Sequence, residues 1–146
     1  MDIDKKVWEV LCSEEEINQR ITEMGKQISE EYKGKNLYVI SLLKGSFVFT
    51  ADLVRKISIP VKIGFMTTSS YGHSDTSSGK VQMKADITDD LEEYDVMVVD
   101  DIVDSGITMN FVLEHLKTKN PKSLASCVLL DKPSRRQEVM EPDYVG

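Results

Sequence analysis

Short apolar runs alternate with segments of helical spacing along this chain, and most of the runs end in glycine, serine or acidic residues. Leu37-Tyr38-Val39-Ile40-Ser41-Leu42-Leu43 is almost continuously apolar, which marks a strand covered on both faces. Residues 61–66 and 123–130 read as further strands and 96–99 as a short buried one, while 81–87 alternates like a half-exposed one. Ser13-Glu14-Glu15-Glu16 fits a capping box, and Ile17, Ile21, Met24 and Ile28 follow at helical steps, with Gly34 as the expected stop. Residues 46–56 predict a second helix offering Phe47, Leu53, Val54 and Ile57 to one face. Residues 108–117 predict a third, carrying Met109, Val112, Leu113 and Leu116. Strands alternating with helices imply a parallel sheet covered on both sides. The expected fold is therefore one α/β domain over residues 1–146, a central parallel sheet flanked by helices. Such sheets bind ligands at the carboxyl ends of their strands, so the loops after Leu43, Val99 and Leu130 converge on one crevice.

Charge and cysteine usage narrow the class. A net charge of -7 and a pI near 4.9 argue against non-specific binding to nucleic acid or anionic lipid, both of which need a basic face. Cys12 and Cys127 lack any metal-ligand or redox spacing and read as idle thiols in a reducing compartment. No apolar run approaches the ~18 residues of a membrane span. The N-terminus lacks a basic-then-apolar signal pattern, so the cytoplasm is the expected location.

The loop after Val99 carries the most specific chemistry. Val98-Val99 delivers Asp100-Asp101-Ile102-Val103-Asp104, and Ser105-Gly106-Ile107-Thr108 then opens a helix. Gly106 lets backbone N–H groups turn inward, and the helix start adds partial positive charge, so residues 105–108 suit a phosphate dianion. The acids at 100, 101 and 104 would repel a bare phosphate and must face something else on the same ligand, for which sugar hydroxyls and a bridging Mg2+ both fit. A 5-phosphate, a diol and a metal-bound anion together describe phosphoribosyl pyrophosphate (PRPP). The competing reading is an acidic turn that only caps the helix.

Residues 98–108 resemble the signature of type I phosphoribosyltransferases. Ser41-Leu42-Leu43-Lys44-Gly45-Ser46, Ser70-Tyr71, Leu130-Asp131-Lys132-Pro133 and Pro142-Asp143-Tyr144-Val145-Gly146 are similar to motifs of the hypoxanthine-guanine branch, in the right order along nearly the whole chain. The resemblance implies the type I fold and a set of roles. Asp100 and Asp101 would meet the ribose hydroxyls and Mg2+. Asp104 would be the general acid/base at purine N7, and it would join Ser105, Gly106, Ile107 and Thr108 in the PRPP site. Leu43, Lys44 and Gly45 would form the pyrophosphate loop, and Ser70 and Tyr71 would lie on the loop that closes over the reacting centre. Lys132 would read the exocyclic oxygen at purine C6; a lysine only donates, which favours a 6-oxopurine over a 6-aminopurine. On residue type alone, Lys44 and Lys132 also fit solvated surface lysines.

The family's pattern continues past Tyr144-Val145-Gly146 into a hood over the base, so this chain reads as C-terminally truncated. The expected activity is transfer of 5-phosphoribosyl from PRPP to hypoxanthine or guanine with Mg2+, by a homo-oligomer (dimer or tetramer). The alternatives are a nucleotide-sensing, RNA-binding regulator of the same fold and a transferase for xanthine or a pyrimidine.

Overall fold

In the chain's structure, a computed structural model, residues 13–43, 46–70, 81–103, 107–131 and 142–145 are described. The elements are α1 (Glu14–Glu31), β1 (Leu37–Leu43), α2 (Phe47–Val54), β2 (Val61–Ser70), β3 (Val81–Ala85), β4 (Asp95–Val103), α3 (Ile107–Lys117), β5 (Ser123–Asp131) and β6 (Tyr144–Val145).

The capping box forms as the sequence requires: the Glu16 amide donates to Ser13 Oγ at 3.1 Å and the Ser13 amide to Glu16 Oε1 at 2.9 Å. α1 buries Ile21, Met24 and Ile28 and stops at Glu31. Gly34, in the turn that follows, has φ +80°, a backbone that glycine enters without steric cost.

The strands form one sheet in the order β3-β2-β1-β4-β5-β6. β2, β1, β4, β5 and β6 are parallel, as expected, but β3 closes one edge antiparallel to β2, with a register shift between Thr67 and Thr68. β1 fills its expected span, Leu37–Leu43. β2 runs on to Ser70 and β4 to Val103, well past 66 and 99. β6 is an addition: Asp143 pins it to β5, its carboxylate accepting from the Ser126 amide at 2.9 Å.

Alternation along the central strands divides the core in two. Tyr38, Ile40, Leu42, Val96 and Val98 pack with Met109, Val112 and Leu116 of α3. Leu37, Val39, Met97 and Val99 pack on the other face with α1 and with Phe49 and Leu53 of α2. α2 corrects the sequence expectation, since Phe47 is 58% exposed and Phe49 supplies the buried ring at 4%. Ile57, just past α2, is buried, and Val54 is partly buried against the same core. In the third helix Leu113 is partly buried against its core, as its spacing predicts.

Candidate active site

β1 and β4 are central neighbours whose following helices pack on opposite faces of the sheet, so the chain changes direction between them. Such a reversal point is where α/β sheets open a ligand crevice. The β1–β4 ladder ends at Ser41↔Val99. Beyond it, β1 continues beside β2 to Leu43↔Thr67, and β4 continues beside β5 to Val103↔Asp131. The central pair is therefore unladdered at its carboxyl end, where the motif residues lie.

Asp100 and Asp101 are the first β4 residues past this point, and both are half-buried. They lie within the strand rather than in a loop after it. Alternation turns Asp100 to the α3 face, in phase with Val96 and Val98. Asp101 turns to the α2 face, in phase with Met97 and Val99. The Asp101 amide donates to Asp100 Oδ1 at 2.8 Å, which fixes the first carboxylate against the backbone. Ile107 and Thr108, half-buried, open α3. That helix has no acid in its first turn and carries His115 and Lys117 in its last, an arrangement that leaves the positive end of its dipole free of carboxylates within the helix itself.

Leu43 ends β1, half-buried. Ser70 ends β2 opposite Val81 of β3, which brings the two ends of the 71–80 segment together. Lys44, Gly45, Tyr71, Asp104, Ser105, Gly106 and Lys132 lie outside the described residues. The strands that lead to Lys44, Asp104 and Lys132 are β1, β4 and β5, adjacent and parallel, so their carboxyl ends share one edge.

Beneath that edge sits a polar group the sequence reading gave no role. Ser41 Oγ lies 2.7 Å from Ser46 Oγ and 2.8 Å from Thr50 Oγ1, and Ser46 Oγ donates to the Leu42 carbonyl. All of them are buried. The available signal was a lone serine in an apolar strand, followed by Ser46 and Thr50 one helical turn apart. Cys127, level with Val99 on the neighbouring strand, supplies no nucleophile: burial pushes its thiol up to about 12, against a smaller pull from Arg20.

Residues 8–146 match the family model of the phosphoribosyl transferase domain. The chain is 45% identical over 144 residues to a hypoxanthine phosphoribosyltransferase of Salmonella typhimurium, covering 97% of this chain and 81% of that protein. It is 43% identical over 142 residues to a hypoxanthine-guanine phosphoribosyltransferase of Dictyostelium discoideum, covering 94% and 79%. Among solved structures, a hypoxanthine-guanine phosphoribosyltransferase of Bacillus anthracis superposes with a TM-score of 0.88 at 43% identity, covering 94% of this chain and 81% of that one.

Proposed function

The chain belongs to the phosphoribosyl transferase family, and on that premise we propose that it transfers the 5-phosphoribosyl group of PRPP to hypoxanthine, and to guanine, releasing pyrophosphate in purine salvage. The observation that carries this reading is the parting of β1 and β4 in a chain so similar to the hypoxanthine enzymes: it brings the acids of β4, the start of α3 and the end of β1 to one crevice.

The residue roles are those the family resemblance implies, and the positions of Leu43, Asp100, Asp101, Ile107 and Thr108 at one end of the sheet support them. Thr108 and Ile107, with Ser105 and Gly106 before them, hold the 5-phosphate at the helix start. Asp100 and Asp101 accept from the ribose hydroxyls. Their hard carboxylate oxygens also suit Mg2+, which takes one or two carboxylates and completes its shell with substrate oxygens and water. When bound, the cation neutralises charge on the departing pyrophosphate. Leu43, Lys44 and Gly45 receive that pyrophosphate, and Lys132 donates to the purine 6-oxygen. Asp104 manages the N7 proton as N9 attacks an oxocarbenium-like ribose. Ser70, at the end of β2 rather than on a loop, and Tyr71 after it are assigned to excluding water from that centre. The whole chain, 1–146, acts as one transferase domain. We also infer a homo-oligomer, supported by exposed Phe47, Val48, Ile63 and Phe65 on the α2–β2 face, and a cytoplasmic location. No helix among the described residues is long and apolar enough to cross a membrane.

The test is a base-preference assay with PRPP and Mg2+, scoring nucleoside monophosphate formed from hypoxanthine, guanine, xanthine, orotate and uracil. Hypoxanthine and guanine are expected to react. Turnover of orotate or uracil with none of hypoxanthine would sink the reading, and salt-dependent RNA binding without purine turnover would replace it with a regulator.

A further inference from the structure

β3 is the edge of the sheet and pairs with one strand, β2. Its ladder is short and interrupted. Thr67↔Ala85 forms one pair, the register then skips Lys84, and Thr68↔Met83, Ser69↔Gln82 and Ser70↔Val81 complete it. An extra residue of this kind breaks the ladder locally. The end of β2 depends on β3 in turn, because the β1–β2 ladder stops at Leu43↔Thr67. Among the described residues, Thr68, Ser69 and Ser70 have β3 as their only strand partner. Segments like these open at low free energy unless something else ties them down.

The tie is Asp86, the first residue after β3. Its Oδ1 accepts from the Ile87 amide at 2.7 Å, and Ile87 is buried in the core that α3 covers. Its Oδ2 meets His115 Nε2 at 2.8 Å and Lys119 Nζ at 3.8 Å. One carboxylate thus joins the end of the edge strand to the last turn of α3 and the turn after it. The backbone on the α3 side is held as well, since Thr118 donates to the His115 carbonyl through its amide at 3.2 Å and its hydroxyl at 2.6 Å. Burial raises the Asp86 carboxyl, but the bonds from His115 and the Ile87 amide, with the charges of His115 and Lys119, outweigh it and hold the group below its ordinary 3.8. The acid is therefore ionised throughout the range in which histidine changes charge, about pH 5 to 8.

Neighbouring charges are engaged elsewhere. On α3, Glu114 and Lys117 bond each other at 2.8 Å. β5 meets α3 through Leu124 and Val128, which carry no charge. Lys62 and Asp89 pair at 3.5 Å, and Asp90 accepts from the Glu92 amide. The carboxyl end of the α3 dipole favours a cation at His115. An imidazolium bonds a carboxylate roughly twice as strongly as a neutral imidazole does. His115 and Asp86 each keep 32% of their side-chain surface exposed, so solvent takes back part of that difference.

We propose that Asp86 and His115 form a pH-operated latch: protonated His115 holds β3, and with it residues 68–70 of β2, in the sheet, and its deprotonation loosens both. The latch stands whether or not Ser70 serves the reaction. Hydrogen exchange of the intact chain tests it, labelled at about pH 5 and about pH 8 and expressed as protection factors, so that the intrinsic pH dependence of exchange cancels. Wild-type amides of residues 81–85 and 68–70 are expected to lose about threefold in protection from the lower to the higher pH, while those of β1 and β4 keep theirs. His115→Gln and Asp86→Asn, which remain polar without the charge pair, should show the wild type's high-pH protection at both pH values. His73→Gln, at the chain's other histidine, should leave the fall intact. Wild-type protection that does not change with pH, a fall that survives His115→Gln, or one that His73→Gln abolishes would overturn the latch. An equal fall in β1 and β4 would overturn it too, because it would report the stability of the whole domain. If Asp86→Asn does not fold, the two histidine variants decide alone.

Discussion

Replacing Gly25 with alanine sets two effects of known size against each other. Gly25 is buried on α1, a helix interior where alanine is favoured over glycine by about 1 kcal/mol. A Cβ at this position, however, would sit 2.5 Å from Lys56 Cβ, 2.7 Å from Lys56 O and 2.8 Å from Lys56 C. Two of those atoms are backbone, just past the end of α2, and that backbone is held. The Lys56 amide donates to Leu53 O at 2.9 Å, and the nearby Ser58 amide donates at 2.8 Å to Ser29 Oγ, which itself donates to Gly25 O at 2.7 Å. Relief must come from moving α1 away from the 55–58 turn, in the upper part of the roughly 1–3 kcal/mol range of overpacking. The steric cost exceeds the propensity gain, leaving a net destabilisation of about 2 kcal/mol, or a melting temperature lower by roughly 4–8 °C for a domain of this size. Urea unfolding followed by circular dichroism reads it directly. Gly34→Ala is the control, because nothing lies within 4 Å of its Cβ and its cost comes from φ +80° alone. Gly34→Asn, which tolerates that backbone, recovers part of the loss, whereas Gly25→Asn recovers none. A Gly25→Ala protein as stable as wild type would show that α1 and the turn after α2 are not in close backbone contact, and the packing argument would fail.

Other outcomes follow from the same structure. Tyr144 OH donates to the Glu31 carboxylate, and this bond first, then that from Gln27, holds Glu31 below its usual 4.5. A carboxylate depressed in the folded state adds stability that is fully present above pH 4.5 and is lost as pH falls through the lower folded value. Tyr144→Phe should therefore flatten stability against pH below 4.5, and an acid limb as steep as the wild type's would refute the assignment. Asp104→Asn should lower kcat by roughly 100-fold or more while PRPP affinity changes little; equal losses in both would make Asp104 a binding residue.

Much of this was legible in the residues themselves. The capping box at Ser13 and Glu16, the buried face of Ile21, Met24 and Ile28, and the whole of β1 depend on local spacing and short-range hydrogen bonds. The residue types at 100–108 suit a phosphate and a diol by their own chemistry, whereas the expectation of a 6-oxopurine rests on the family resemblance of the motifs around 41–46 and 130–133. These features are local, and the chain spells them out in order.

What depended on distant partners was not legible. Phe47 and Phe49 are equally apolar, and only the seat of α2 on β1 and β4 turns one out and the other in. The alternation of β3 was readable but its antiparallel direction was not, because pairing with β2 decides it, and β6, held by Asp143 against Ser126, is too short to carry a strand periodicity of its own. The parting of β1 from β4 after Ser41 and Val99 is likewise a property of the sheet. Each strand keeps its other neighbour, and no run of residues in either one announces where the shared ladder stops. The hydroxyl chain beneath it needed both kinds of information. Ser41, Ser46 and Thr50 stand plainly in the sequence, but their bonds exist only once the strand and helix are packed together.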